Sequence, residues 1–325
     1  MPSDRLVERP PRGWVRIDVV ASGLCYADLG TVDASEGSVI FPVVPGHEIA
    51  GVLADLGEGV GGWNLGDRVS VGWFGGSCGH CEMCRVGDVV HCPERKVPGL
   101  SYPGGWAQSV TVPADALCRI PEEMSFCDAA PMGCAGVTTF NAIRSAQLTA
   151  GATVAVFGVG GLGHLAVQFA AAMGYRTIAI ARGVDRESLA RDLGAREYID
   201  SAGGQAGSAL AALGGADLIL CTASSTEVVA DLLDGLRVHG RLTLIGVDSG
   251  SIEVPVAQMV RRNQTVTGHL TGSAHDIELT MRFASTNNVR PIIERMPLSQ
   301  AVEGLARLKA GAARFRIVFD TGINR

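Results

Sequence analysis

The chain has no surplus of positive charge. Across 325 residues, 27 Lys and Arg stand against 33 Asp and Glu, a net charge of −6. That balance gives no ground for binding nucleic acid or an anionic membrane. No secretory leader is expected either, because the first ten residues contain no apolar core of signal length. Charged residues are scarce at 18% while apolar ones reach 47%, which excludes a solvated, disordered tail protein. Neither internal repeats nor low-complexity segments stand out. Nor is the cysteine count even. Nine cysteines without a leader point to a reducing, cytoplasmic compartment, where clustered thiols serve as metal ligands more often than as bridges.

Between Ser145 and Tyr175 the chain carries no Asp, Glu, Lys or Arg, a span long enough to cross a bilayer. Gly151, Gly158, Gly160, Gly161 and Gly163 crowd its middle, and Gln147, Thr149 and Gln168 add polar atoms. A buried strand, a tight turn and a buried helix suit that composition better than a lipid-facing helix. No membrane span is expected.

What is present divides into three stretches. Up to about residue 130, apolar and polar residues alternate over 14–20, 67–71 and 106–112, with dense Gly and Pro punctuation between them. This predicts a compact β-rich domain. The second stretch alternates short apolar strands (152–157, 177–181, 217–221, 241–245) with helices (162–173, 186–193, 226–236). That order predicts βαβ units around a parallel sheet covered on both faces. The tail, from about residue 268, adds two helices (274–284 and 298–309) and a last strand over 315–319.

Three motifs carry chemistry. Cys78-x2-Cys81-x2-Cys84-x7-Cys92 has the spacing of a tetrahedral zinc site, and four protein ligands leave no open position, so the site would be structural. Gly158-Val159-Gly160-Gly161-Leu162-Gly163 follows a predicted strand and opens a predicted helix. Its first glycine permits the turn, its second lets a pyrophosphate approach, and its third lets helix pack on strand, with helix N–H groups facing the phosphates. The third set is dispersed: Cys25, His47-Glu48 within Pro45-Gly46-His47-Glu48-Ile49-Ala50-Gly51, and Cys134 within Gly133-Cys134-Ala135-Gly136-Val137-Thr138. Taken singly, the two cysteines read as small buried thiols and His47 as a satisfied core histidine.

Together and in this order, these motifs resemble the zinc-dependent medium-chain alcohol dehydrogenases, over nearly the whole chain. The resemblance implies an α/β protein: a GroES-like β-rich catalytic domain plus a Rossmann domain with a doubly wound parallel sheet that binds the coenzyme. The first part of the catalytic domain would span 1–133, including the zinc loop 78–92, the Rossmann domain 134–268, and the second catalytic part 269–325, with the active site in the cleft between domains. It further implies that Cys25, His47 and Cys134 ligate a catalytic zinc, with Glu48 as an alternating or additional ligand and Asp28 orienting His47. Two zinc ions per chain are therefore expected, one of them keeping an open position for substrate. By the same resemblance Thr138 contacts the nicotinamide. Arg314 matches a residue reaching the pyrophosphate, although a solvated surface role suits it equally. Tyr26, Val32, Trp73 and Leu270 match positions lining the substrate pocket, Trp73 alternatively being a core tryptophan. Zinc would polarise the oxygen of an alcohol or aldehyde, and hydride would pass between its carbon and the nicotinamide. Family habit implies a homodimer or homotetramer acting on a small molecule.

The chain departs from the pattern in two places. The family usually follows its first ligand with x-Ser/Thr-Asp and a nearby histidine that relay the alcohol proton. Here Cys25-Tyr26-Ala27-Asp28-Leu29-Gly30 keeps the ligand and the aspartate but lacks the relay. Tyr26 or water could replace it, Tyr26 could simply pack in the pocket wall, or the enzyme could reduce a conjugated C=C bond. A catalytically silent zinc- and nucleotide-binding protein is the reading from another class. About 13 residues precede Trp14, fewer than the family's usual first strands need, so those strands are trimmed or the start lies upstream.

Coenzyme choice is read at the end of the second Rossmann strand. Ala181 stands where NAD-preferring members carry a carboxylate, and Arg182 follows. A guanidinium without a carboxylate favours a 2′-phosphate, hence NADP(H) over NAD(H). Asp185 is the rival acid, placed past Gly183-Val184 at a helix start, where the dipole alone would favour it.

Overall fold

Alternation of apolar and polar side chains over Trp14–Leu24 buries Val15, Ile17, Val19 and Ala21 on one face and makes this strand, β1, the spine of a seven-stranded sheet. The computed structural model describes residues 8–33, 41–223, 226–247 and 250–323. The leader reading rested on residues 1–10, of which 1–7 lie outside that description. Among the described residues, β1 is followed by β2 (Glu48–Leu56), β3 (Arg68–Val71), β4 (Ser109–Pro113) and β5 (Cys118–Arg119). Next come β6 (Thr153–Phe157), β7 (Arg176–Ala181), β8 (Glu197–Asp200), β9 (Ala216–Cys221), β10 (Leu236–Leu244) and β11 (Thr265–Gly268). β12 (Ile293–Pro297) and β13 (Arg316–Asp320) return to the first sheet.

The chain splits into two compact units, residues 1–137 with 271–325, and residues 138–270. In the first, the strand order is β12-β13-β1-β2-β3-β5, with β4 also on β1. β1 is long enough to pair antiparallel with β2 along one edge, while its first half pairs β4 and its last residues pair β13. Val15, Ile17, Ile49, Leu53, Val69, Val71, Val110 and Val112 form the core beneath it. The 106–112 strand expected from alternation begins only at Ser109. Gly105 and Trp106 instead donate their backbone N–H groups to the carbonyls of Gly46 and Pro45.

The second unit is a doubly wound parallel sheet of order β11-β10-β9-β6-β7-β8. The order reverses around β6, whose carboxyl end is where such sheets hold ligands. β6 is buried throughout, so continuous apolar runs, not alternation, encode these strands. The charge-free run between Ser145 and Tyr175 becomes β6, the glycine turn and helix Gly163–Ala172. Among the described residues no helix is long and apolar enough to cross a membrane.

Candidate functional site

The dispersed set converges. Antiparallel pairing of β1 with β2 puts Gly23 opposite Glu48, so the end of β1 delivers Cys25 beside His47 and Glu48 at the start of β2. Gly23 is needed at that pairing: a Cβ there would lie 1.9 Å from Glu48 Oε2. Cys134 arrives on a π-helical turn, Met132–Gly136, an irregularity common at functional sites. That turn is pressed against the end of β3, where a Cβ on Gly72 would lie 2.0 Å from the Gly133 carbonyl oxygen, and Trp73 N–H donates to that carbonyl at 3.2 Å. One donor atom from each of Cys25, His47, Glu48 and Cys134 lies within 4.8 Å of all the others.

Asp28 organises two of them. Its Oδ1 accepts from His47 Nδ1 at 3.0 Å, and its Oδ2 accepts from the Cys25 backbone N–H at 2.9 Å. Asp28, His47 and Glu48 are 1%, 3% and 0% exposed, whereas Cys25 and Cys134 are partly exposed, so the cluster is buried on its polar side and open at its sulfurs. His47 Nε2 and Glu48 Oε2 are nonetheless buried without a hydrogen-bond partner, a costly arrangement for an apo site and a fitting one for a cation. Cys25 and Cys134 Sγ are 3.8 Å apart. Sulfurs on a tetrahedral zinc, with bonds of about 2.3 Å, sit roughly 3.8 Å apart.

The two thiols are driven apart: the hydrogen bond to Cys25, with burial, holds Cys134 well above the usual thiol range. The Cys134 thiol, then His47 and Arg316, outweigh burial and hold Cys25 well below the usual thiol range. Burial opposes charge on His47, yet Asp28 outweighs it and holds the imidazole above its ordinary value. Burial pushes Glu48 up to about 7 despite the pull of Arg316. The sequence reading did not include Arg316. It lies on β13, is 6% exposed, and forms a buried ion pair with Glu48. A lone charge inside Phe315-Arg316-Ile317-Val318-Phe319 was the available signal. Arg314, by contrast, is exposed and donates to the carbonyls of Gly311 and Ala313.

The four-cysteine loop is built alike. Cys78 to Cys84 and Cys81 to Cys92 sulfur distances are 3.9 and 3.8 Å, the tetrahedral edge length again. Backbone N–H groups of Cys81, Cys84 and Cys78 donate to the sulfurs of Cys78, Cys81 and Cys92. Backbone N–H groups of His80 and Cys81 hold the Cys78 thiol below its usual range.

In the second unit the glycine turn leaves β6 with Gly158 at φ +92°, a left-handed conformation suited to glycine. A Cβ on Gly163 would lie 1.7 Å from the Gly158 carbonyl oxygen, whereas one on Gly160 would meet nothing within 4 Å. The turn therefore packs tightly at Gly163 and leaves an open face at Gly160, where a pyrophosphate fits. Gly161 and Leu162 complete the turn, and the Leu162 carbonyl accepts from Ala166 N–H. Arg182 is exposed just past β7, and Asp185 lies in the short 3-10 turn Val184–Arg186. Arg186, absent from the sequence reading, donates to the carbonyl of Val159 inside the glycine turn at 2.5 Å; nothing in the sequence pattern signals this. Thr138 Oγ1 donates to the Leu270 carbonyl at 3.4 Å. Tyr26 and Leu270 are exposed, as is Val32, and Trp73 is half-buried.

Known proteins share this arrangement. Residues 11–122 match the alcohol dehydrogenase GroES-like domain family, and residues 161–286 match the zinc-binding dehydrogenase family. The chain is 40% identical to the alcohol dehydrogenase notN of Aspergillus sp. (strain MF297-2) over 97% of this chain and 92% of that one. It is 33% identical to the NADP-dependent alcohol dehydrogenase C 1 of Mycolicibacterium smegmatis, covering 94% and 90%. A solved cinnamyl alcohol dehydrogenase from Sorghum bicolor superposes with a TM-score of 0.91 at 31% identity, covering 100% and 95%.

Proposed function

Because this chain belongs to the zinc-type medium-chain dehydrogenase/reductase superfamily, as an alcohol dehydrogenase family member and an oxidoreductase, we propose that it interconverts a small alcohol and its aldehyde with NADP(H). The observation that carries the reading is the convergence of Cys25, His47 and Cys134, in which a buried His47 Nε2 has no hydrogen-bond partner. In this reading those three residues hold a catalytic zinc, Glu48 is an alternating or additional ligand, and Cys78, Cys81, Cys84 and Cys92 hold a structural one. Bound there, zinc supplies Lewis-acid polarisation of the substrate oxygen while the nicotinamide carries the hydride.

The chain's own residues prepare that chemistry. Asp28 accepts a hydrogen bond from Nδ1–H, which fixes the tautomer and leaves Nε2 to face the cluster with its lone pair. The same carboxylate pins the backbone of Cys25, so two ligands are oriented by one residue. Arg316 balances Glu48, and two thiolates balance a divalent ion, which keeps the buried site near neutrality. Trp73 and Tyr26 serve as substrate-pocket walls, and Thr138 contacts the nicotinamide. The partner is a small alcohol or aldehyde, and the chain works as a homodimer or homotetramer in the cytoplasm.

Coenzyme preference rests on the end of β7. Ala181 offers no carboxylate for a ribose 2′-OH, and two guanidiniums, Arg182 and Arg186, follow it, the second anchored on the glycine turn. NADPH should support turnover better than NADH at equal concentration; a clear NADH preference overturns this part.

The two positions at which the family carries its proton relay are altered beside Cys25. Ala27 and Gly30 carry no hydroxyl or imidazole, and Tyr26 is 67% exposed, so water takes the proton. Ala27→Thr should therefore raise alcohol oxidation by about a hundredfold, the low end of what a positioned proton acceptor supplies. An unchanged or slower rate on a good substrate counts against the argument. The missing relay also favours a second reading, reduction of a conjugated C=C bond. Turnover of a cinnamyl-type enal with product identification decides: cinnamyl alcohol supports carbonyl reduction, 3-phenylpropanal supports C=C reduction.

A further inference from the structure

The four-cysteine loop leaves the sheet at Trp73 and returns over the same ring. Arg95, three residues past Cys92, has its guanidinium carbon 5.5 Å from the centroid of the Trp73 ring, within the range of a cation–π contact. Its backbone is held from two directions. Arg95 N–H donates to the Cys92 carbonyl at 3.1 Å, and the next residue, Lys96, exchanges hydrogen bonds of 2.8 Å with Gly75 and Gly76. The Gly75 carbonyl also accepts from the buried Tyr102 hydroxyl at 2.9 Å. The position of Arg95 is thus set by the last cysteine of the loop and by the strand that carries Trp73.

Trp73 is half-buried and fixed at its backbone. Its N–H donates to the carbonyl of Gly133, the neighbour of Cys134. The pairing of β2 with β3 matches Ile49 to Val71, and continuing that register by two residues sets Trp73 opposite His47. Trp73 and His47 therefore leave the sheet at the same end of the β2–β3 pairing. Among the described residues, Arg95 is the cation stacked on it.

We propose that Arg95 is a positioning residue that holds the Trp73 indole against one side of the substrate pocket, making the four-cysteine loop a determinant of substrate preference as well as a brace. This rests on the reading of Trp73 as a pocket wall. The ring so held narrows the pocket for branched groups and offers a flat face to an aromatic or allylic substituent. Arg95 touches neither substrate nor coenzyme, and acts only through the indole.

The test compares kcat and KM for cinnamyl alcohol and 1-propanol in the zinc-loaded wild type, Trp73→Ala, Arg95→Ala, Arg95→Lys and the Trp73→Ala/Arg95→Ala double variant. Trp73→Ala should change the ratio of kcat/KM for the two alcohols by roughly tenfold, as expected for remodelling an apolar pocket. Arg95→Ala should change it in the same direction by about threefold, the scale of an exposed cation–π contact, mainly through KM for cinnamyl alcohol. Arg95→Lys should restore most of that change, and the double variant should match Trp73→Ala alone. The indole N–H resonance of Trp73, assigned by its loss in Trp73→Phe, should move in Arg95→Ala and return in Arg95→Lys. If Trp73→Ala leaves the ratio unchanged, the pocket-wall reading fails and the proposal falls with it. If Trp73→Ala changes the ratio but Arg95→Ala does not move it or the indole resonance, or if the two effects multiply in the double variant, the pocket wall stands and the role of Arg95 is overturned.

Discussion

His47→Ala is expected to lower kcat/KM for alcohol oxidation by on the order of a thousandfold, about 4 kcal/mol of transition-state stabilisation. The imidazole is the one nitrogen donor in a cluster otherwise made of two sulfurs and a carboxylate. It is 3% exposed, so neither water nor a neighbouring side chain can take its place readily. Its removal also leaves Asp28, which is 1% exposed, without the partner that balances it, a loss that destabilises the site further. A graded control separates ligation from shape. Asp28→Asn preserves size but weakens the hold on Nδ1, and should cost about 10- to 100-fold in metal affinity or activity. Steady-state kinetics on both variants check the ordering. Activity in His47→Ala within tenfold of the wild type would show that the cluster is not where the reaction occurs.

The second large effect concerns stability. Replacing any one of Cys78, Cys81, Cys84 or Cys92 by serine should collapse the loop they close and lower the melting temperature by about 10 °C or more, a loss of several kcal/mol for a chain of this size. The loop has little else to hold it. Its regular structure is one four-residue helix, Glu82–Arg85, and a three-residue turn, Val89–His91, and only Val90 and Cys92 within it are buried. Such a segment cannot repay its ordering entropy by apolar burial alone. Scanning calorimetry of Cys84→Ser checks this, with chelation of the wild type as the companion measurement. A melting temperature within about 2 °C of the wild type would mean that the loop is held by packing instead of metal.

Much of this was legible before any coordinates. The four-cysteine spacing and the strand-turn-helix glycine motif are local, because their ligands and turns lie within one short segment. Alternation over β1 and continuous apolar runs over β6, β7 and β9 marked the two sheets. The cluster of Cys25, His47, Glu48 and Cys134 was different in kind. Cys25 and Cys134 are separated by 109 positions, and their meeting depends on strand register and on the close contact of Gly72 with Gly133. Only the resemblance, not spacing, could assemble them. Arg316 escaped because it lies 268 positions from Glu48 and its partner is chosen by the pairing of β1 with β13. Arg186 escaped for a similar reason: its bond to the Val159 carbonyl exists only once the glycine turn has folded beside the end of β7. The strand expected over 106–112 was shortened by hydrogen bonds from Gly105 and Trp106 to the Pro45-Gly46 segment, an intrusion that no local pattern announces.

Two metal sites of different kinds in one chain are tested most directly by zinc content measured by mass spectrometry. Purified wild type should carry two zinc ions per chain, and Cys25→Ala should carry one while keeping its melting temperature within a few degrees. One zinc per chain in the wild type, unchanged in Cys25→Ala, would contradict the two-site reading and leave a protein with a structural metal and no catalytic one.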